Sequence, residues 1–211
     1  MKIIRPLIHI LLFFIISNSE AQEVTVSKSP FLPYLVGGLN WTGVSGVENR
    51  AQVSSYPTFN AGIGVLTLLN QPRPISLSVE ALFSEQGFKY SDVSRNSSPE
   101  YVKARYINVP AVLRFNLSKT SNFYFGIGPQ IGFLVDGDVI TKGGTKIPLS
   151  ESTVNKTAFD AIGAFGTNIR GKADMGIELR YQSGLNRFIS NQPDFRNSIL
   201  QVRVIVPMFF L

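Results

Sequence analysis

Residues 106–117 alternate without a break over twelve positions. Ile107, Val109, Ala111, Leu113, Phe115 and Leu117 fall on one face, and Tyr106, Asn108, Pro110, Val112, Arg114 and Asn116 on the other. Successive side chains of a strand point to opposite faces, so this segment reads as one long strand with an apolar side and a largely polar side. Its length is the constraint. Strands of globular proteins run about five or six residues, whereas a strand that crosses a bilayer at a steep tilt needs about 9–11.

The same pattern holds over residues 75–84, with Ile75, Leu77, Val79, Ala81 and Phe83 opposite Ser76, Ser78, Glu80 and Ser84. Over residues 174–182, Met175, Ile177, Leu179 and Tyr181 oppose Asp174, Gly176, Glu178, Arg180 and Gln182. The last segment sets Leu200, Val202, Val204, Val206, Met208 and Phe210 against Gln201, Arg203 and Pro207. Four glycine-spaced segments, residues 32–42, 59–69, 123–135 and 159–169, fit the same template. Helical periodicity is absent from all eight. In residues 123–135 the glycines lie on the polar face beside Tyr124 and Gln130, as a narrow interior requires.

Residues 70–74, 118–122 and 170–173 read as tight turns, and the links near 43–58, 87–105, 136–157 and 183–197 as long loops. Eight long strands joined by alternating short and long links predict an all-β fold, an eight-stranded antiparallel up-and-down transmembrane β-barrel of the bacterial outer membrane. The turns and both termini are then expected in the periplasm. A soluble lipocalin-like carrier is the alternative, with its apolar face turned inward. Strand length favours the membrane. So do the aromatics near the ends of the apolar faces, Trp41, Phe59, Phe83, Phe115, Phe123, Tyr181 and Phe210. Lipids of the outer membrane are thus the first expected partner.

The start of the chain follows another logic. Lys2 and Arg5 precede an apolar run over residues 7–16, too short for a membrane helix, and Ser19 and Ala21 supply small residues before Gln22. Residues 1–21 therefore read as a cleaved signal peptide and residues 22–211 as the barrel domain. Cleavage removes His9, the one histidine, and the chain has no cysteine. That excludes a disulfide scaffold, a thiolate metal site and a cysteine nucleophile.

The polar faces carry Glu80, Asp160, Asp174 and Glu178 against Arg114, Arg180 and Arg203. This lumen charge network is the candidate site. Eight strands enclose an interior about filled by side chains, so its members are expected to pair as a plug; a polar pathway or ligand site is the competing reading. Arginine suits such a network, because its planar fork meets several acceptors at once. Catalysis is not expected. A barrel without histidine lacks the commonest general base, and the nearest substitute, Ser84 and Glu85 near Lys89, has unremarkable spacing. No cofactor or metal is expected. The excess of 20 Lys and Arg over 14 Asp and Glu invites a nucleic-acid reading, but no basic helix or aromatic–basic platform supports one. Arg73, Lys119, Arg170 and Lys172 in the short turns instead suit phospholipid head groups. Other envelope proteins would meet the barrel through its long loops. Oligomeric state leaves no mark in the sequence.

Five motifs in order carry a family likeness: Gly38-Leu39-Asn40, residues 80–87 (Glu80 to Gly87), Tyr106-Ile107-Asn108-Val109-Pro110, residues 126–132 (Gly126 to Gly132) and residues 178–185 (Glu178 to Leu185). The chain resembles the PorT-like outer-membrane β-barrel domain common in Bacteroidetes, over essentially all of residues 22–211. The resemblance implies an eight-stranded barrel in the outer membrane. The namesake's tie to a secretion apparatus implies at most an accessory role in an envelope machine.

Overall fold

The period-two pattern fixes which way each side chain faces. In the computed structural model, described for residues 31–45, 52–70, 75–91, 100–117, 122–141, 143–148, 155–169, 175–188 and 196–208, the described segments form ten strands. They are β1 (Phe31–Ser45), β2 (Gln52–Ser54), β3 (Tyr56–Asn70), β4 (Ile75–Ser91), β5 (Glu100–Asn116), β6 (Phe123–Ile140), β7 (Lys146–Pro148), β8 (Thr157–Ile169), β9 (Met175–Arg187) and β10 (Arg196–Pro207). The eight long ones pair antiparallel in the ring β1-β3-β4-β5-β6-β8-β9-β10. The pairing of β1 with β10 closes it. Closure leaves no long strand with an unpaired edge, as a chain in hydrocarbon requires.

Outside and inside are inverted relative to a soluble protein. Leu39, Ile63, Ile127, Leu179 and Val204 are exposed on the outer wall, while Asn40, Glu80, Gln130, Arg180 and Arg203 are buried within the ring. A water-facing wall of this composition would leave an apolar patch far beyond what soluble monomers tolerate. Aromatic rings cluster towards both ends of the apolar wall. Phe59 and Phe83 meet at 5.8 Å near the long-link end; Phe115 stacks on Phe125 at 4.9 Å, and Phe123 on Phe165 at 5.9 Å, near the short-link end. Phe210 and residues 1–21, the stretch expected to be a cleaved signal peptide, lie outside the described residues, as do Arg73, Lys119, Arg170 and Lys172.

Several strands run further than the sequence pattern indicates. β4 continues to Ser91, β5 begins at Glu100 and β6 reaches Ile140, so both ends of the expected loop over residues 87–105 are strand. The expected loops over residues 43–58 and 136–157 likewise hold β2, which pairs with β4, and β7, which pairs with β6. The reason is physical. Beyond Phe83, Ile107 and Phe133 the outer face turns to Glu85, Arg105 and Asp136, which are still in register across β4, β5 and β6. The hydrogen-bond ladder continues after the apolar alternation has stopped.

Candidate functional site

Two cross-strand rows organise the interior. Tyr34 of β1 faces Gly64 of β3, which faces Glu80 of β4. Four strands further round the ring, Tyr124 of β6 faces Gly166 of β8, which faces Glu178 of β9. Each tyrosine ring lies across the glycine of its own row. A Cβ on Gly64 would stand 2.4 Å from Tyr34 Cζ, and one on Gly166 2.4 Å from Tyr124 Cζ. Each hydroxyl then reaches the glutamate beyond. Tyr34 donates to Glu80 Oε1 at 2.8 Å, and Tyr124 to Glu178 Oε2 at 2.9 Å.

Three guanidiniums close on these two carboxylates. Arg180 donates to both oxygens of Glu80, at 3.0 and 3.1 Å, and from Nε to Glu178 Oε1 at 2.9 Å. Arg203 donates to the same two oxygens of Glu80, at 2.9 and 2.8 Å, and its Nη2 is 3.2 Å from Glu178 Oε1. Arg114 stands to one side, with its Cζ 4.9 Å from the centre of the Tyr124 ring and 5.7 Å from that of Tyr34. The side chains of Glu80, Glu178, Arg180 and Arg203 are fully buried. Charges so enclosed hold only when each finds partners, and bidentate arginine–carboxylate pairs are the strongest available.

The structure therefore brings together Glu80, Arg114, Glu178, Arg180 and Arg203. Asp160 belongs to a separate layer nearer the long-link end, where its Oδ2 accepts from Gln130 and Gln182, both at 2.9 Å. Strand parity alone does not distinguish layers along the axis, which is why the sequence groups Asp160 with the others. Asp174 lies outside the described residues. Tyr34, Tyr124 and Ser78 are members the sequence reading left out. For the two tyrosines the available signal was inward parity opposite a glycine on the next strand.

Above the charges, Asn40 donates to Ser84 at 3.2 Å, Asn60 donates to Asn40, and Asn197 donates to Gln86. Higher still, Phe88 and Phe188 meet edge-on at 6.2 Å, with Ala104, Tyr106 and Ala158 packed beside them. Ser84 and Glu85 do not converge on a reacting group. Ser84 is buried inside, while Glu85 faces outward and pairs with Lys103 at 3.2 Å.

Glu85 belongs to a second cluster, on the outer face just beyond the apolar wall. Arg105 donates to Asp136 and, at 3.0 Å, to Asp138, and lies 3.7 Å from Glu85. Burial alone would lower the Arg105 pKa, but the hydrogen bond to Asp138 and the charges of Asp136, Asp138 and Glu85 outweigh it and raise it. Lys89 lies over the Tyr101 ring at 5.8 Å.

The sequence model of the family described as "Outer membrane protein beta-barrel domain" matches residues 25–190. Among curated proteins none matches the sequence. Among solved structures, Neisserial surface protein A is 14% identical with a TM-score of 0.48, covering 84% of this chain and 97% of that one. Ail, the attachment invasion locus protein of Yersinia pestis, is 11% identical with a TM-score of 0.45, covering 84% and 98%. The outer membrane protein OprG from Pseudomonas aeruginosa is 10% identical with a TM-score of 0.38, covering 84% and 91%.

Proposed function

The chain belongs to the outer membrane protein β-barrel domain family, and from that premise we propose that it is a non-conducting, non-enzymatic barrel. Its lumen is plugged by side chains, and its role is structural or carried by interactions of its long-link end. The observation that carries this reading is the stacking of closed layers along the interior. The Glu80–Arg180–Arg203 cluster is followed by the Asp160 and Asn40 layers, and these by the Phe88–Phe188 contact. A water-filled passage would have to interrupt all of them. Eight-stranded barrels in general have interiors only wide enough to be filled in this way.

The long-link end is the natural place for partners. β4, β5 and β6 have 17, 17 and 18 residues against 13 and 12 in β9 and β10, so the wall is built up on one side. That raised side carries the Arg105 cluster and the added strands β2 and β7. The short links and both termini face the periplasm in this reading, the usual arrangement of bacterial outer-membrane barrels. The five ordered motifs favour the PorT-like branch of the family.

Planar-bilayer recording with the purified barrel tests the proposal. No steady conductance is expected from the wild type. Discrete channel openings, shifted by Glu80→Ala, would overturn the plug and favour a conduit for small solutes.

A further inference from the structure

The charge cluster does not balance. Among the described residues it sets Arg114, Arg180 and Arg203 against two carboxylates, Glu80 and Glu178. The oxygens of those carboxylates are taken up by Arg180, Arg203 and the two tyrosines. Arg114 Nη2 lies 3.3 Å from Glu178 Oε2 and 3.7 Å from Glu80 Oε1, near enough for attraction. Yet Arg114 Nε and Nη2 have no hydrogen-bond partner, in a residue only 4% exposed. A buried guanidinium with unused donors is costly, and an anion would relieve it.

Arg114 also lines a cavity of about 260 Å³ at the end of the barrel that carries the short links. The rest of the wall is mostly apolar, with Leu32, Leu66 and Ile205 on it and Asn168 at its edge. Gly176 helps to keep the space open, since a Cβ there would stand 3.3 Å from Ile205 Cβ and 3.4 Å from Asn168 Oδ1. The cavity therefore joins one buried cation to an apolar surround.

We propose that this cavity binds a small organic carboxylate with a short apolar tail, the acid meeting Arg114 and the tail lying against Leu32, Leu66 and Ile205. The guanidinium fork matches a carboxylate, and the surplus positive charge favours an anion over a neutral molecule. Apolar walls select the tail and give a strongly hydrated inorganic anion nothing in return. A free acid and the C-terminus of a peptide share this chemistry. The proposal does not depend on the lumen being closed above the charge cluster.

Titration calorimetry on the folded, detergent-solubilised full chain tests it with hexanoate, hexan-1-ol, inorganic phosphate, and N-acetyl-alanyl-leucine as the free acid and as the amide. Hexanoate is expected to bind, with hexan-1-ol and phosphate weaker by about tenfold or more. Tighter binding of the peptide acid than of hexanoate, lost in its amide, would identify a chain terminus as the source; the reverse order would identify a free acid. Arg114→Gln should weaken hexanoate by about tenfold or more and leave hexan-1-ol unchanged. Leu66→Trp, which fills the cavity without touching a charge, should weaken both, and it decides the matter if Arg114→Gln does not fold. No binding of hexanoate to the wild type, equal binding of hexan-1-ol, or hexanoate binding untouched by Leu66→Trp would overturn the proposal.

Discussion

Arg203 of β10 and Glu80 of β4 meet through two parallel hydrogen bonds, Nη1 to Oε2 at 2.9 Å and Nη2 to Oε1 at 2.8 Å, although 123 positions separate them in the chain. Arg180 grips the same carboxylate in the same two-pronged way, at 3.0 and 3.1 Å. One glutamate thus joins β4 to β9 and β10 across the interior of the ring. Cross-strand neighbours stabilise local pairs, whereas this contact ties together strands that are not adjacent.

Removing Glu80 would leave three buried guanidiniums, Arg114, Arg180 and Arg203, facing the one remaining glutamate, Glu178. Glu80→Ala is expected to cost about 3–5 kcal/mol, the usual range for breaking a buried pair from one side. Replacing Glu80, Glu178, Arg114, Arg180 and Arg203 together by apolar residues of similar volume should cost much less, because no charge is then stranded. Urea unfolding in lipid vesicles measures both. An unfolding midpoint for Glu80→Ala equal to that of the wild type would contradict the account.

The tyrosine rows make a sharper prediction about space. Gly64→Ala puts a methyl group 2.4 Å from Tyr34 Cζ, and the ring cannot retreat without losing Glu80. A cost of about 1–3 kcal/mol is expected, typical of overpacking. Gly163→Ala is the control, since a Cβ there meets nothing within 4 Å. It should be neutral or gain up to about 1 kcal/mol by restricting the unfolded chain. Equal effects of the two substitutions would show that the ring does not need the glycine.

These rows also mark how far the sequence could be read. Inward parity was legible wherever apolar and polar residues alternate, and it placed Glu80, Arg114, Glu178, Arg180 and Arg203 on inner faces. Depth was not legible. Parity is the same for Asp160 and Glu178, yet register shifts each strand along the barrel axis, and only the assembled ring shows that Asp160 bonds to Gln130 and Gln182 instead. Tyr34 and Tyr124 were missed because an aromatic on an inner face carries no charge to draw attention. Their meaning lies in Gly64 and Gly166, one strand away. The strand extensions past Phe83 and Ile107 were hidden for a related reason: there the outer face turns to Glu85, Arg105 and Lys103 while Phe88, Ala104 and Tyr106 pack inside, so the apolar face changes sides and the alternation that marks the rest of each strand is not continued.

The outer cluster should behave differently from the inner one. Arg105 is partly exposed, and its partner Asp136 more so, so solvent screens their attraction. Arg105→Ala is expected to cost about 1 kcal/mol or less, with the difference shrinking as salt is raised. Unfolding midpoints of both proteins at low and high ionic strength check this. A loss as large as that of Glu80→Ala, unchanged by salt, would place Arg105 in a structural role the geometry does not give it.

The direction of the barrel's faces yields the last prediction. Leu113 lies in register between Leu77 of β4 and Ile127 of β6, and Val204 between Ile177 of β9 and Gly37 of β1; both side chains are exposed on the outer wall. If that wall meets hydrocarbon, an arginine at either place must be carried into lipid. Leu113→Arg or Val204→Arg should then cost about 2–4 kcal/mol, the range for a cation near the bilayer midplane. Asn116, at the last position of β5, has inward parity and lies near the short-link mouth. Asn116→Arg should be tolerated better, because its charge can reach water or head groups. Refolding equilibria in lipid vesicles compare the three. On a water-facing wall Leu113→Arg would be harmless and the protein would fractionate with soluble proteins, so equal costs for all three variants or such release would refute the lipid-facing assignment.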